Sequence, residues 1–188
     1  MTVINISGTS GSGKTTIVRQ LLNQCSRSPI VTDYKIQGYY VWKLGIMPTV
    51  IVGSYEKPTG GCDTISPITE VFKKVLYYHE KENCNVIFEG LLISRSKGRM
   101  IALWNDLGQQ DLFIYHLTTS IEDCMEGIRQ RRALKGNNKP VDPKRTLETY
   151  YRVAKITGDL KALGIPVEYT MREEALQKII DRLSQNEP

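Results

Sequence analysis

The chain has 188 residues, 40% of them hydrophobic and 24% charged, with a net charge of +5 at pH 7; that is one ordinary domain with a full core. No stretch approaches the ~20 consecutive apolar residues that cross a bilayer, and no basic segment followed by an apolar one opens the chain, so neither a membrane span nor a signal peptide is expected. Cys25, Cys62, Cys84 and Cys124 show no C-x-x-C spacing, which argues against a zinc site and for reduced thiols in a cytoplasmic protein.

The first element is "VINIS", Val3 to Ser7, an apolar run that reads as a buried strand. "GTSGSGKTT" follows, Gly8 to Thr16, with the spacing G-x-x-x-x-G-K-T. Ile17, Val18, Leu21 and Leu22 then recur at helical spacing. Strand, glycine loop and helix form the context that this motif requires. Glycines let successive N–H groups turn toward phosphate oxygens, and the helix aims its positive end at the same anion. Gly8, Thr9, Ser10, Gly11, Ser12, Gly13, Lys14, Thr15 and Thr16 are therefore expected to hold a nucleoside triphosphate, with Lys14 at the β- and γ-phosphates and the Thr15 hydroxyl on Mg²⁺.

"SPIVTD" is expected as the second core strand, ending at Asp33, and 34–62 as a β-hairpin excursion parted by "GIMP". Ser66 and Pro67 form an expected N-cap and first position of a helix. "NVIFEG" is the third core strand, continuous in apolar residues as a strand covered on both faces should be. "DLFIYHLT" is the fourth, "SIEDCMEGIRQRRALKG" a helix ending in basic residues, "NNKPVDP" a loop, and "KRTLETYYRVAKITGDLKALG" a long helix closed by Gly164 and Pro166. "IPVEYTM" and "REEALQKIIDRLSQ" complete the chain as a fifth strand and a last helix. Alternating strands and helices predict an α/β protein of the P-loop NTPase fold, a parallel five-stranded sheet with helices on both faces, its active edge at the strands' carboxyl ends.

Phosphoryl transfer requires Mg²⁺, a positioned acceptor and positive charge around the moving group. Acids at strand ends are candidates for the acceptor side. Asp33 either begins a turn or takes the proton of an attacking hydroxyl. Glu89, after three apolar residues, is costly unless it has a partner, which points to a place near Mg²⁺ or the acceptor. Asp63, beside Gly60 and Gly61, is either a helix cap or a ligand-binding acid. Arg129, Arg131 and Arg132 crowd one helix end; Arg129 and Arg132 are the candidate catalytic arginines of a mobile lid spanning about 129–143. Tyr39, Tyr40, Trp42 and Tyr55 are either sheet packing or a surface on which a base stacks, with Tyr39 and Trp42 as substrate candidates. His79 and His116 are expected to be structural.

With these residues in view the chain resembles the small P-loop kinases. The similarity is carried by "GTSGSGKTT", by Asp33 and "VIFEG", and by "YHLTTSIEDCMEGIRQRR", which looks like the strand, acidic helix start and arginine lid of nucleotide and polynucleotide kinases. "GSYEKPTGGCDTIS" leading to "NVIFEGLLIS" resembles a narrower group, bacteriophage kinases of 5-hydroxymethyluracil in DNA. That resemblance implies a single kinase domain over 1–188, ATP and Mg²⁺ as cofactors, DNA as partner and host cytoplasm as the place of action. It also implies transfer of the γ-phosphate to the base hydroxymethyl; the alternatives are a free nucleoside, nucleotide or small metabolite as acceptor, and after it an ATP-driven nucleic-acid-binding protein that is not a kinase. A GTPase is disfavoured, because "NKPVD" does not match N-K-x-D.

Overall fold

The computed structural model describes residues 1–42 and 47–185. It is an α/β structure around one seven-stranded mixed sheet. In chain order the elements are β1 (Val3–Ser7), α1 (Lys14–Gln24), β2 (Ser26–Thr32), β3 (Lys35–Trp42), β4 (Thr49–Val52), a 3-10 turn at Cys62–Thr64, α2 (Thr69–Glu80) and β5 (Asn85–Glu89). Then come α3 (Leu91–Ser94), α4 (Lys97–Asp106), β6 (Leu112–Leu117), α5 (Ile121–Ala133), α6 (Pro143–Ala162), β7 (Val167–Thr170) and α7 (Arg172–Ser184).

The sheet order is β2-β3-β4-β5-β1-β6-β7. β4, β5, β1, β6 and β7 run parallel to one another, while β2 and β3 are antiparallel additions at the β4 edge. Two expectations are corrected here. The sheet has seven strands and mixed direction, where five parallel strands were expected, and "SPIVT" is an outer strand rather than a core one. Its Pro29 cannot donate to a ladder, which suits an edge position, and most of β2 is exposed. The parallel strand is "TVIV", four consecutive buried residues, the pattern of a strand covered on both faces. The hairpin excursion is accordingly β2 with β3, and part of "GIMP" lies outside the described residues. Nor does Ser66 cap α2, which starts at Thr69 with Ile68 at its N-cap.

Alternation along the strands divides the core in two. Val3, Val86 and Phe88 face Val71, Phe72 and Val75 of α2, with Met100 and Leu103 of α4. Ile4, Ile6 and Ile87 face Ile17, Val18 and Leu21 of α1, with Ile179 and Leu183 of α7. Helices thus cover both faces, and the loops after β1, β4, β5 and β6 meet along one edge. No helix among the described residues is long and apolar enough to cross a membrane.

His116 on β6 is buried, 8% exposed, and its Nδ1 lies 3.0 Å from Thr157 Oγ1 and 3.4 Å from Ser7 Oγ. Burial, with Lys14 nearby, lowers its pKa from 6.5 to about 4. Between those values the unfolded chain binds a proton that the folded chain refuses. Stability from this site is therefore present above pH 6.5 and lost as pH falls toward 4, by up to about 3 kcal/mol. Glu89, raised to about 7, acts in the opposite sense, so the test is a difference. His116→Asn should flatten the acid-side loss of stability relative to wild type in urea titrations across that window. Parallel pH profiles of the two proteins would assign the loss elsewhere.

Candidate active site

The loop between β1 and α1 lies at the carboxyl edge of the sheet, where a parallel α/β fold places its ligands. Gly8, Gly11 and Gly13 all take positive φ. Lys14 is buried and donates from Nζ to the Gly8 carbonyl at 2.8 Å and the Thr9 carbonyl at 2.7 Å. Three neighbours pin the loop. Ser94 Oγ of α3 accepts from Gly8 N at 3.3 Å, Thr119 Oγ1 donates to the Ser12 carbonyl at 2.9 Å, and α5 lies directly on Gly11. A β-carbon on Gly127 would stand 2.7 Å from the Gly11 carbonyl oxygen, and one on Gly11 would collide with the Cys124 carbonyl. Glycine at both positions lets helix and loop touch through backbone.

Glu89 ends β5 beside β1, in register with Ile6. It is only 2% exposed, and its Oε1 accepts from Thr15 Oγ1 at 3.0 Å. Burial raises its pKa to about 7, against the pull of Lys14 and the Thr15 hydrogen bond. Burial likewise lowers the pKa of Lys14, which Glu89 partly restores. Gly61 closes over this carboxylate, since a β-carbon there would strike Glu89 Oε1. Asp63 accepts from Leu91 N at 2.9 Å and Leu92 N at 3.0 Å. It is a cap after all, but of α3 rather than α2, and this ties the loop after β4 to the loop after β5.

These groups line a cavity of about 440 Å³, within the usual range for a small-molecule site. Its walls include Lys14, Thr15, Asp63, Glu89, Arg131 and Arg172. The chain chemistry fits a triphosphate with its metal: backbone amides and a buried ammonium for the phosphates, a hydroxyl for the cation, and an orphaned buried Thr9 Oγ1 in the same loop.

Several expected residues are elsewhere. Asp33 is not at the end of a core strand; it is the exposed first residue of the two-residue turn between β2 and β3, with φ 51°. It does not line the cavity. Arg129 points away and pairs with Glu126 at 2.9 Å, and Arg132 donates to the carbonyls of Lys139 and Pro140, holding the loop beyond α5. Arg131 enters the cavity instead, where burial and Arg132 lower its pKa. Tyr39 is buried; its hydroxyl donates to Glu56 Oε1 at 2.6 Å and accepts from Tyr55 N at 3.3 Å, bracing the loop after β4. Trp42 is exposed at the far end of β3, and neither ring lines the cavity. Tyr40 packs edge-on against Tyr78.

Two cavity cations went unnoticed in the sequence. Arg19 follows Thr15 by one helical turn and donates to the carbonyls of Tyr55 and Lys57. Arg172 opens α7 after β7 and lies over Gly13. Helical spacing also carried a signal for Arg131: it follows Cys124 by seven residues and Gly127 by four, so it shares the face of α5 that rests on the loop.

No model of a known protein family matches the chain. A 5-hmdU DNA kinase of Pseudomonas phage PaMx11 is 38% identical over a 183-residue alignment that covers 94% of this chain and 94% of that protein. The chain belongs to the 5-hmdU DNA kinase family. It is thus a phosphotransferase. Deoxyadenosine kinase from M. mycoides, solved with bound dATP, is 12% identical with a TM-score of 0.45, over 97% of this chain and 99% of that one.

Lys14→Ala should reduce ATP turnover by more than about 10²-fold, because one ammonium serves both terminal phosphates. Circular dichroism and the thermal midpoint should show a folded protein. A variant retaining a tenth of wild-type turnover would remove Lys14 from the chemistry.

Proposed function

We propose that this kinase transfers the γ-phosphoryl group of ATP to the hydroxymethyl oxygen of 5-hydroxymethyluracil in DNA, and that residues 1–188 form one P-loop kinase domain. The observation that carries this reading is the 3.0 Å hydrogen bond from Thr15 to the buried Glu89, which puts the phosphate loop and an acceptor-side carboxylate on one cavity wall. Backbone amides of the loop and Lys14 bind the triphosphate. Mg²⁺, held at Thr15, would neutralise charge on the β- and γ-oxygens when bound.

Glu89 serves as base for the attacking hydroxyl, the part that Asp33 is too far out on the hairpin to take. Asp63, with both oxygens engaged by the α3 amides, shapes the acceptor loop. Arg131 and Arg172 face the position where negative charge spreads during transfer. Support for a DNA acceptor comes from the phage relative's description and from the net charge of +5. A base in a duplex is shielded by stacking, so it reaches a carboxylate as buried as Glu89 only after extrusion.

Glu89→Gln should lower phosphoryl transfer by ~10²–10⁴-fold with ATP binding little changed, as loss of a general base does. Asp33→Asn should stay within about twofold of wild type, as exposed turn substitutions do. Loss of ATP–Mg²⁺ binding in Glu89→Gln would make the residue a metal-shell group instead.

Acceptor identity is read with labelled ATP and three acceptors: unmodified DNA, DNA containing 5-hydroxymethyluracil, and the free nucleoside or its monophosphate. Label should enter the modified DNA alone. Efficient labelling of the free nucleotide with none on DNA would establish a metabolite kinase.

A further inference from the structure

The tip of the β2–β3 hairpin lies outside the lining of the cavity. Its register places it on the active side of the sheet. Gly38 lies opposite Val52 of β4, and Gly53 N donates to the Gln37 carbonyl at 2.8 Å. Val52 in turn lies opposite Phe88 of β5, so Gln37, Gly53 and Glu89 occupy one level. From Gln37 the hairpin continues past that level for three more residues to Tyr34, about 10 Å at ~3.3 Å per residue. β3 stands two strands from β5, about 10 Å sideways at ~4.8 Å per strand. Tyr34 therefore rises roughly 14 Å from Glu89, above the edge that carries the cavity and comparable with the ~12 Å width of the major groove.

The tip is a tight turn that carries an exposed aromatic ring. Thr32 pairs with Lys35 across a two-residue turn in which Asp33 and Tyr34 both take positive φ, 51° and 60°. Paired left-handed residues match the twist of a tight hairpin, and a tyrosine there is an expensive choice that a purely structural turn does not require. Tyr34 has a relative exposure of 102%, and Val31 on the adjoining stretch of β2 is 57% exposed. A bulge between Ile30 and Val31 bends the strand just below. Asp33 repels phosphate but accepts from a base amino group. Lys35, also exposed, supplies the one cation of the turn. An aromatic ring, an apolar neighbour and a carboxylate suit the inside of a base stack better than its phosphate backbone.

We infer that the hairpin tip is a wedge for double-stranded DNA, with Tyr34 entering the stack as the target base leaves it for the cavity. This rests on the DNA acceptor proposed above. Apolar side chains inserted between base steps offset unstacking in this way in other DNA-bending proteins. The wedge lowers the cost of extrusion, so it matters for a duplex and not for a strand whose bases are already unpaired.

The test compares wild type, Tyr34→Ala and Tyr34→Phe on a duplex with one 5-hydroxymethyluracil and on the same modified strand alone. Tyr34→Ala should lose at least about tenfold on the duplex and stay within about twofold on the single strand, and Tyr34→Phe should keep both activities. 2-Aminopurine beside the target should brighten when wild type binds the duplex and stay dim with Tyr34→Ala. Equal rates of wild type and Tyr34→Ala on the duplex would overturn the wedge and leave the DNA acceptor standing. An equal loss on both substrates would also overturn it, making Tyr34 part of base binding. If wild type labels neither DNA but labels the free nucleoside, the acceptor reading fails, and the wedge with it.

Discussion

Two opposite charges are buried under a glycine loop, and most of the architecture follows from keeping them there. Removing a carboxylate or an ammonium from water costs several kcal/mol each, even after relaxation. Lys14 recovers part of this from the Gly8 and Thr9 carbonyls, and Glu89 from Thr15. Each also lies in the other's field. The compensation holds only while β1 and β5 are neighbours and the loop keeps its curl. Adjacency of the two strands is set by the parallel ladder from Val3–Val86 to Ile6–Glu89. The curl is set by Ser94 of α3, by Thr119 just ahead of α5 and by the backbone of α5, which converge on nine residues. A positively charged neighbour at Thr15 would return Glu89 toward its ordinary carboxylate range, so ligand and protein share one electrostatic problem.

The loop after β4 is assembled by a different device. Loop 53–61 has little secondary structure of its own beyond the Ser54–Gly61 bridge. It is held instead by side chains from its surroundings: Tyr39 of β3 on Glu56 and Tyr55, Arg19 of α1 on the carbonyls of Tyr55 and Lys57, and Asp63 on the α3 amides. Lys135, beyond α5, donates to Thr59 Oγ1 at 2.7 Å and joins the segment after that helix to this loop. A loop held from several sides can be both close to a carboxylate and free of a fixed ladder.

Much of this was legible in the residues, and the failures have physical causes. The phosphate loop, the helices on both faces and Glu89 as a partnered buried acid follow from local patterns, because glycine spacing and apolar periodicity act over a few residues. The second parallel strand was misplaced because two short apolar runs competed for one slot. Pro29 and the Thr32–Asp33 turn signal marked "SPIVT" as an edge, and the unbroken "TVIV" marked the core. Asp33 fell with that strand. Arg131 was readable from α5 periodicity, whereas Arg129 and Arg132 were selected by clustering alone. Arg172 had no local signal at all: its place over Gly13 depends on β7 lying beside β6 and on α7 packing against α1, which only the tertiary structure brings together.

The backbone contact between Gly127 and Gly11 couples α5 to the glycine loop. A helix resting on main-chain atoms cannot tilt without lifting the phosphate loop with it, so α5 up to about Arg131 behaves as part of the floor. Arg132, by contrast, is tied to the Lys139 and Pro140 carbonyls and belongs mechanically to the segment beyond. Two adjacent arginines of one helix thus serve different neighbours: Arg131 faces the cavity from a helix seated on the glycine loop, while Arg132 holds the segment that follows.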